Sequence, residues 1–159
     1  MKDRNISYLE EGTPQGAVVS PLLSNIYLHE ALDKWYAKEI RPHLKGRSFM
    51  IRFADDAILG FENQEEAEYV MKALKDRLVG YGLELHPEKT RLVYFDKPNS
   101  NKSGHPKPGS FDFLGFTHYW DKSLKGNWIV KRKTSKKKFE AKLKNIKQWC
   151  KENRHMPTK

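Results

Sequence analysis

Apolar residues recur at helical spacing in two stretches of the first half of the chain. The first stretch predicts a helix from about residue 18–21 to about residue 38, with Ser20 as N-cap and Pro21 at the first helical position. The second predicts a helix over residues 64–79, with Asn63 as N-cap. Its apolar stripe consists of Ala67, Val70, Met71, Leu74 and Leu78. We expect both helices to back a sheet.

Between these helices the pattern changes to the alternation of a strand. The period changes over residues 48–61: residues 49–53 alternate in this way, and a second apolar run follows at residues 57–61. The two runs predict a pair of strands joined by a tight turn that presents Asp55 and Asp56. Apolar flanks lead us to expect that this turn lies in a buried sheet: Phe49, Ile51, Phe53, Ile58 and Leu59.

The second half of the chain predicts more strands. Residues 83–85 and 91–95 have the composition of short strands. Residues 97–110 are rich in Pro, Gly, Ser, Asn and Lys, which predicts an exposed loop. Residues 111–120 and 128–131 predict a further hairpin that turns between them.

The positive charge of the chain is concentrated at its C-terminal end. The 159 residues carry a net charge of +10, and residues 1–130 hold 18 basic and 18 acidic side chains. Residues 131–159 hold 12 basic side chains against Glu140 and Glu152, and include a predicted basic amphipathic helix capped by Ser135. Such a segment favours a polyanion, most commonly nucleic acid. The alternatives are a solvated tail or a helix on a membrane surface.

Composition excludes several classes of protein. The length suits one domain. No apolar run approaches the roughly 18 residues of a transmembrane helix. Residues 1–20 lack the apolar core of a signal peptide. The one cysteine, Cys150, excludes a disulfide framework and a cysteine-based zinc site, so we expect a cytoplasmic protein. We expect no membrane partner.

The adjacent aspartates are the sharpest chemical feature of the sequence. Two carboxylates this close raise each other's pKa unless a cation lies between them. Carboxylate oxygens suit Mg²⁺, which binds through one or two carboxylates plus substrate phosphates. The alternative is that Asp55-Asp56 is turn chemistry alone. The apolar flanks bring the two interpretations to near balance, because a buried sheet is an unusual place for unpaired charge.

Four short motifs then occur in the order found in a known family. Residues 12–16 (Gly-Thr-Pro-Gln-Gly) and 20–26 (Ser-Pro-Leu-Leu-Ser-Asn-Ile) resemble motif B of group II intron reverse transcriptases. Residues 53–56 (Phe-Ala-Asp-Asp) resemble motif C, residues 82–90 resemble motif D, and residues 113–116 (Phe-Leu-Gly-Phe) resemble motif E. Each motif is modest by itself, but the ordered set is specific and the similarity covers essentially the whole chain.

The resemblance implies roles for particular residues. Asp55 and Asp56 would bind catalytic Mg²⁺, with Asp55 as the more direct ligand. Lys89 would lie near the nucleotide phosphates as a catalytic residue, the alternative being an ordinary exposed lysine. Leu114 and Gly115 would support the primer end, the alternative being hairpin packing. The loop that would bind nucleotide and template consists of Gly12, Thr13, Pro14, Gln15 and Gly16. The basic residues that would bind RNA are Lys131, Arg132, Lys133, Lys136, Lys137 and Lys138.

One element of the family's site is missing from the pattern. The polymerase site of the family uses a further aspartate, in motif A, on a strand upstream of motif B. Asp3 is the only aspartate before Gly12, and its surroundings do not read as a strand. We therefore expect negligible polymerase activity from the chain without a partner that supplies the missing N-terminal half.

The sequence as a whole predicts an α+β fold. By resemblance, residues 1–134 form part of a reverse-transcriptase palm, an antiparallel sheet backed by helices, and residues 135–159 begin a basic helical thumb. The implied function is RNA-directed DNA polymerisation by two-metal chemistry with Mg²⁺, acting on an RNA template, a DNA primer and deoxynucleoside triphosphates. The alternatives are an RNA-binding maturase remnant without catalysis, a related retron-type reverse transcriptase, and a decayed reading frame.

Overall fold

A computed structural model describes residues 18–98 and 107–155. The chain divides into two compact units, Met1–Thr90 and Arg91–Lys159. Each unit contains helix and antiparallel strand, so the predicted α+β class is confirmed. The boundary between a palm and a thumb after residue 134 stays a prediction.

The first unit opens with a long helical segment. Helix α1 spans Ser20–Leu28 and is followed by π-helical turns at His29–Asp33 and Tyr36–Ile40, and by a 3₁₀ turn at Arg41–His43. The helical backbone therefore runs past the predicted end at about residue 38. Pro42 lies inside the terminal 3₁₀ turn.

The N-cap of α1 differs from the prediction. Val19, and not Ser20, occupies the cap position, and Ser20 is the first helical residue. The reason is that the carbonyl of Val19 already accepts the amides of Leu22 and Leu23, at 3.1 and 3.0 Å. Pro21 is therefore the second helical residue and not, as predicted, the first, but it still lies in the first turn, where its missing N–H leaves no bond unmade.

A β-hairpin follows the helical segment, as the alternation predicted. Strand β1 spans Ser48–Phe53 and strand β2 spans Asp56–Phe61, paired antiparallel with Phe53 opposite Asp56. Ala54 and Asp55 form the two-residue turn. The hairpin therefore carries both aspartates at its tip.

Helix α2 spans Gln64–Gly80, and Asn63 is its N-cap, as predicted. Its C-terminus is closed by Gly82, whose φ of 66° is left-handed. The amide of Gly82 donates to the carbonyl of Val79 at 3.0 Å, and the amide of Leu83 donates to the carbonyl of Leu78 at 2.9 Å. This is a Schellman motif, which satisfies carbonyls that the helix end would leave unpaired.

The core of the first unit lies between the helical segment and α2. Its buried members are Leu32, Trp35, Tyr36, Ile40, Val70, Leu74 and Leu78. Met50, Leu59 and Phe61 of the hairpin pack against this cluster.

The opposite face of the hairpin is not buried, contrary to the prediction. Phe49, Ile51 and Phe53 are 53, 52 and 64% exposed. Because side chains of a strand point alternately to its two faces, β1 can bury only one of them against the helices. The alternation identified the strand correctly but did not indicate that its larger apolar side chains lie on the uncovered face.

The second unit contains a three-stranded antiparallel sheet in chain order. Strands β3 (Phe111–Phe113), β4 (Phe116–Lys122) and β5 (Trp128–Thr134) form it. The prediction of one strand over residues 111–120 is wrong, because a turn at Leu114-Gly115 divides it. Both turn residues have positive φ, 51° and 81°, the pattern of a type I′ hairpin turn.

Two predicted strands are not formed. Residues 83–85 pack on the helical core instead, and the amide of Leu83 is used by the cap of α2. Residues 91–95 are irregular. The carbonyl of Phe95 accepts the indole N–H of Trp120 at 3.2 Å, so a side chain takes the place of a strand partner.

Helix α3 spans Lys136–Asn153 after the N-cap Ser135, as predicted. None of its residues is buried. The stripe of Phe139, Leu143 and Ile146 is therefore apolar without being part of a core. Within residues 18–98 and 107–155, no helix is long and apolar enough to cross a membrane.

Candidate functional site

The tip of the β1–β2 hairpin presents two carboxylates to solvent. Asp55 and Asp56 lie at the predicted tight turn, but both are exposed, contrary to the expectation that the turn lies in a buried sheet. Ala54, which precedes them, has a φ of 53°. A residue with a Cβ occupies this region at a cost of roughly 1–2 kcal/mol, so the turn needs support from its surroundings.

That support comes from Arg52, which lies two residues before Ala54 on β1. Arg52 donates from Nη1 to the carbonyl oxygen of Ala54 at 2.8 Å. The same nitrogen donates to Oδ1 of Asn25 on α1 at 2.8 Å. Nε and Nη2 donate to the two carboxylate oxygens of Asp33, at 2.7 and 2.6 Å. The guanidinium thus joins the turn to the helical segment.

The arginine and its partner perturb each other's protonation. Hydrogen bonds from Arg52 lower the pKa of Asp33, against a smaller opposing effect of burial, and His29 lowers it further. The same pairing raises the pKa of Arg52. Both groups are therefore charged under ordinary conditions. The side chain of Arg52 is only 12% exposed, so this pair is better shielded than a surface ion pair.

The residues at the turn fit a magnesium ion in donor chemistry. Asp55 and Asp56 supply carboxylate oxygens, which are hard ligands. In the described part of the chain no group of three or more His, Cys, Asp or Glu is arranged to hold a metal. Two exposed carboxylates would suit an ion that completes its coordination shell with substrate phosphates and water.

Two other predicted site elements belong to the first unit. The loop of residues 12–16 lies outside the described residues. Lys89 is exposed in a turn in which its own amide and that of Thr90 bond to the carbonyl of His86, at 3.2 and 2.9 Å. Among residues 18–98 and 107–155, no hydrogen bond or ion pair joins Lys89 to either aspartate. The catalytic role of Lys89 therefore stays a prediction.

The second unit brings three predicted residues together. Leu114 and Gly115 form the β3–β4 turn, and the side chain of Lys138 lies across Gly115. The amide of Ser135 bonds to the carbonyl of Gly115 at 3.0 Å. The start of α3 is thereby attached to the hairpin tip.

Comparison with family models identifies a relationship that covers most of the chain. The model for reverse transcriptase (RNA-dependent DNA polymerase) matches residues 1–118. The chain belongs to the reverse transcriptase family. Comparisons with curated proteins and with solved structures give no match. Family membership makes the chain an RNA-directed DNA polymerase by resemblance, and members of the family use divalent metal ions, RNA templates, DNA primers and deoxynucleoside triphosphates.

In this reverse transcriptase the basic run of β5 is divided between two faces. Lys131 forms an ion pair with Asp121 at 2.8 Å, on the face that also carries Lys133. Arg132 lies on the other face, over the ring of Phe116. The alternation of the strand therefore places the basic residues of β5 on both faces of the sheet.

The basic residues of α3 are more available. Lys136 forms a long, exposed ion pair with Glu140 at 3.8 Å. Lys137 and Lys138 are exposed on the same helical turn. The helix lies beyond the residues that match the reverse transcriptase family.

Sequence reasoning missed the network around Arg52 in this reverse transcriptase. It assigned no role to Arg52, Asp33 or the side chain of Asn25. A signal was present, because Arg52 occupies an alternating position of β1 that faces the helices. A charged residue at such a position needs a paired partner.

Proposed function

We propose that the chain is the catalytic-turn part of a group II intron reverse transcriptase/maturase. The observation that carries the proposal is the pair Asp55 and Asp56 at a hairpin tip in a member of the reverse transcriptase family. The intron-encoded subtype is supported by residues 12–16, 20–26 and 113–116, which resemble that group more than its retron-type relatives.

The proposed reaction is nucleotidyl transfer. The primer 3′-hydroxyl loses its proton to water and its oxygen forms a bond to the α-phosphorus of the nucleotide. The bond from that phosphorus to the bridging oxygen breaks, and pyrophosphate leaves. Asp55 and Asp56 would hold Mg²⁺, which when bound supplies activation of the hydroxyl and charge stabilisation at the phosphate. Lys89 would neutralise charge on the leaving pyrophosphate. Further carboxylate ligands would come from the motif A strand, which the sequence does not identify.

The remaining parts of the proposal concern substrate binding. Residues 12–16 would contact the templating base pair, since a loop with two glycines lets backbone approach a ligand closely. Leu114 and Gly115 would support the primer end at the type I′ turn. Lys138 beside them would contact backbone phosphate. The free, exposed Cys150 is compatible with a reducing cytoplasm.

Primer extension on an RNA template tests the catalytic proposal. We expect no extension by the 159-residue chain alone. The DNA upstream of codon 1 can be tested for a segment that encodes a motif A aspartate. A protein that joins that segment to this chain should extend a DNA primer with Mg²⁺. Asp55→Asn should abolish extension by the joined protein. Asp76→Asn, at an exposed position of α2, is the matched control and should leave it unchanged.

Robust Mg²⁺-dependent extension by the joined protein that survives Asp55→Asn would contradict the catalytic proposal. Extension by the chain alone that Asp55→Asn abolishes would leave the catalytic role of Asp55 in place. It would mean that the need for a further carboxylate was misjudged.

A second candidate is an RNA-binding maturase remnant that does not polymerise. Helix α3 favours it, because its lysines are exposed and none of its residues is buried. It predicts RNA binding that weakens steeply with salt and persists in Asp55→Ala. Deletion of residues 131–159 should abolish binding, and unchanged binding would exclude this candidate.

A further inference from the structure

We propose that Arg52 is a positioning residue that sets the conformation of the Asp55-Asp56 turn. The inference rests on the proposed function for its catalytic meaning, but its structural content stands on hydrogen bonds alone. Arg52 acts through the carbonyl of Ala54, the residue that precedes Asp55. It touches neither aspartate in any contact of the described residues.

The turn depends on an outside contact for its shape. Ala54 is held at a φ of 53°, a region that residues with a Cβ seldom occupy. Such backbone persists when the surrounding structure determines it. Among residues 18–98 and 107–155, Arg52 is the side chain that bonds to a backbone atom of this turn. Its bond is charge-assisted and therefore stronger than a neutral one.

The guanidinium is itself fixed from the opposite side. Both carboxylate oxygens of Asp33 accept from it, and Asn25 accepts from the nitrogen that also bonds to Ala54. All three bonds to these partners are 2.6–2.8 Å long. A planar fork held at two points has one orientation left for its third contact. The position of Ala54 is therefore set by the helical segment.

Lysine cannot replace this function. Its ammonium can pair with Asp33, but it has no planar fork that reaches Asp33, Asn25 and the turn together. Arg52→Lys thus keeps the charge and removes the geometry. Arg47→Lys is the matched control. Arg47 immediately precedes β1, at the end of the hairpin away from the turn. Its side chain is 93% exposed and forms an ion pair with Glu62.

Backbone ¹⁵N relaxation of the 159-residue chain measures the positioning directly. In the unsubstituted chain we expect backbone N–H order parameters (S²) of about 0.85 at Asp55 and Asp56. Arg52→Lys should lower them to below about 0.6, the range of flexible backbone, while Met50 and Leu59 keep their values. Arg47→Lys should change none of them. Unchanged order at the turn in Arg52→Lys would overturn the proposal, since a purely structural ion pair predicts that result.

A second variant covers the case in which Arg52→Lys does not fold. Asn25→Ala removes one acceptor of Nη1 and leaves the pair with Asp33 in place. It should lower the order parameter at Asp55 by a smaller amount. An unchanged value in a folded Asn25→Ala chain would contradict the proposal.

Binding of Mn²⁺, followed by electron paramagnetic resonance, separates this inference from the proposed function. If the aspartates bind metal, Arg52→Lys should weaken Mn²⁺ binding about tenfold, as loss of outer support does at other metal sites. Asp55→Asn should weaken it at least as much. If Asp55→Asn leaves Mn²⁺ binding unchanged, the proposed metal site fails. The relaxation result would then still decide whether Arg52 positions the turn.

Discussion

The amide of Ser135 donates a hydrogen bond of 3.0 Å to the carbonyl of Gly115. Ser135 is the N-cap of α3 and is 5% exposed, whereas Gly115 forms the turn between β3 and β4. One bond therefore attaches the basic helix to the hairpin tip. The predicted primer-binding residues and the predicted RNA-binding residues of α3 are thereby made neighbours in space.

The conformation of Gly115 gives a first prediction. Its φ of 81° disfavours any side chain, and a Cβ would meet the flexible end of Lys138. Gly115→Ala should lower the free energy of unfolding by about 1–2 kcal/mol, mostly from the backbone term because Lys138 can move aside. Urea unfolding measures the loss. Gly126→Ala, with a φ of 78° and open space around it, should cost nearly the same, and a far larger loss at Gly115 would mean that Lys138 is rigidly held.

Helix α2 offers a prediction with an internal control. Val70 is 1% exposed and Val79, on the same helix, is 65% exposed. Val70→Ala should lower the free energy of unfolding by about 1.5–3 kcal/mol, because it removes buried carbon and leaves a cavity. Val79→Ala should change it by less than about 0.5 kcal/mol. Equal effects in thermal or urea unfolding would contradict the assigned core.

The ion pair of Asp33 and Arg52 predicts a dependence on pH. The folded pKa of Asp33 is lowered, so its contribution to stability is present above the ordinary value of 3.8 and is lost as pH falls through the folded pKa. The urea midpoint should begin to fall below about pH 5 and should continue to fall as pH drops below 3.8. In Asp33→Asn the midpoint at the higher pH should be lower and its fall on acidification smaller. An acid fall identical to that of the unsubstituted chain would show that Asp33 is not a source of it.

The lysines of α3 predict how RNA binding responds to salt. Replacing Lys137 and Lys138 by Gln should weaken binding to single-stranded RNA. The plot of log affinity against log salt has a negative slope. This slope should become less steep by about 0.7 for each RNA phosphate that the variant no longer neutralises. The matched control replaces Lys72 and Lys75, which are exposed on α2. Filter binding over a salt series measures both, and equal effects in the two double variants would indicate attraction by net charge alone.

The amino-acid sequence by itself determined the local elements that carry a strong period. Residues 64–79 have an apolar stripe at helical spacing, and α2 forms there within one residue of the prediction. The alternation over residues 49–53 likewise predicted β1, which begins one residue earlier, at Ser48. Local chemistry suffices in these cases, because each pattern suits one backbone geometry and not the other. The ordered motifs also identified the reverse transcriptase family, which the matching family model confirms.

Only the tertiary structure decided which faces and partners those elements use. The sequence did not reveal that Phe49, Ile51 and Phe53 lie on the exposed face of β1, because burial depends on what packs against a strand and not on its own period. It did not reveal that Leu114-Gly115 divides a predicted strand, since a turn with positive φ at Leu114 is held by its neighbours. It also indicated no role for Arg52, whose partner Asp33 is 19 residues away. Contacts at that separation arise from packing, which no local pattern records.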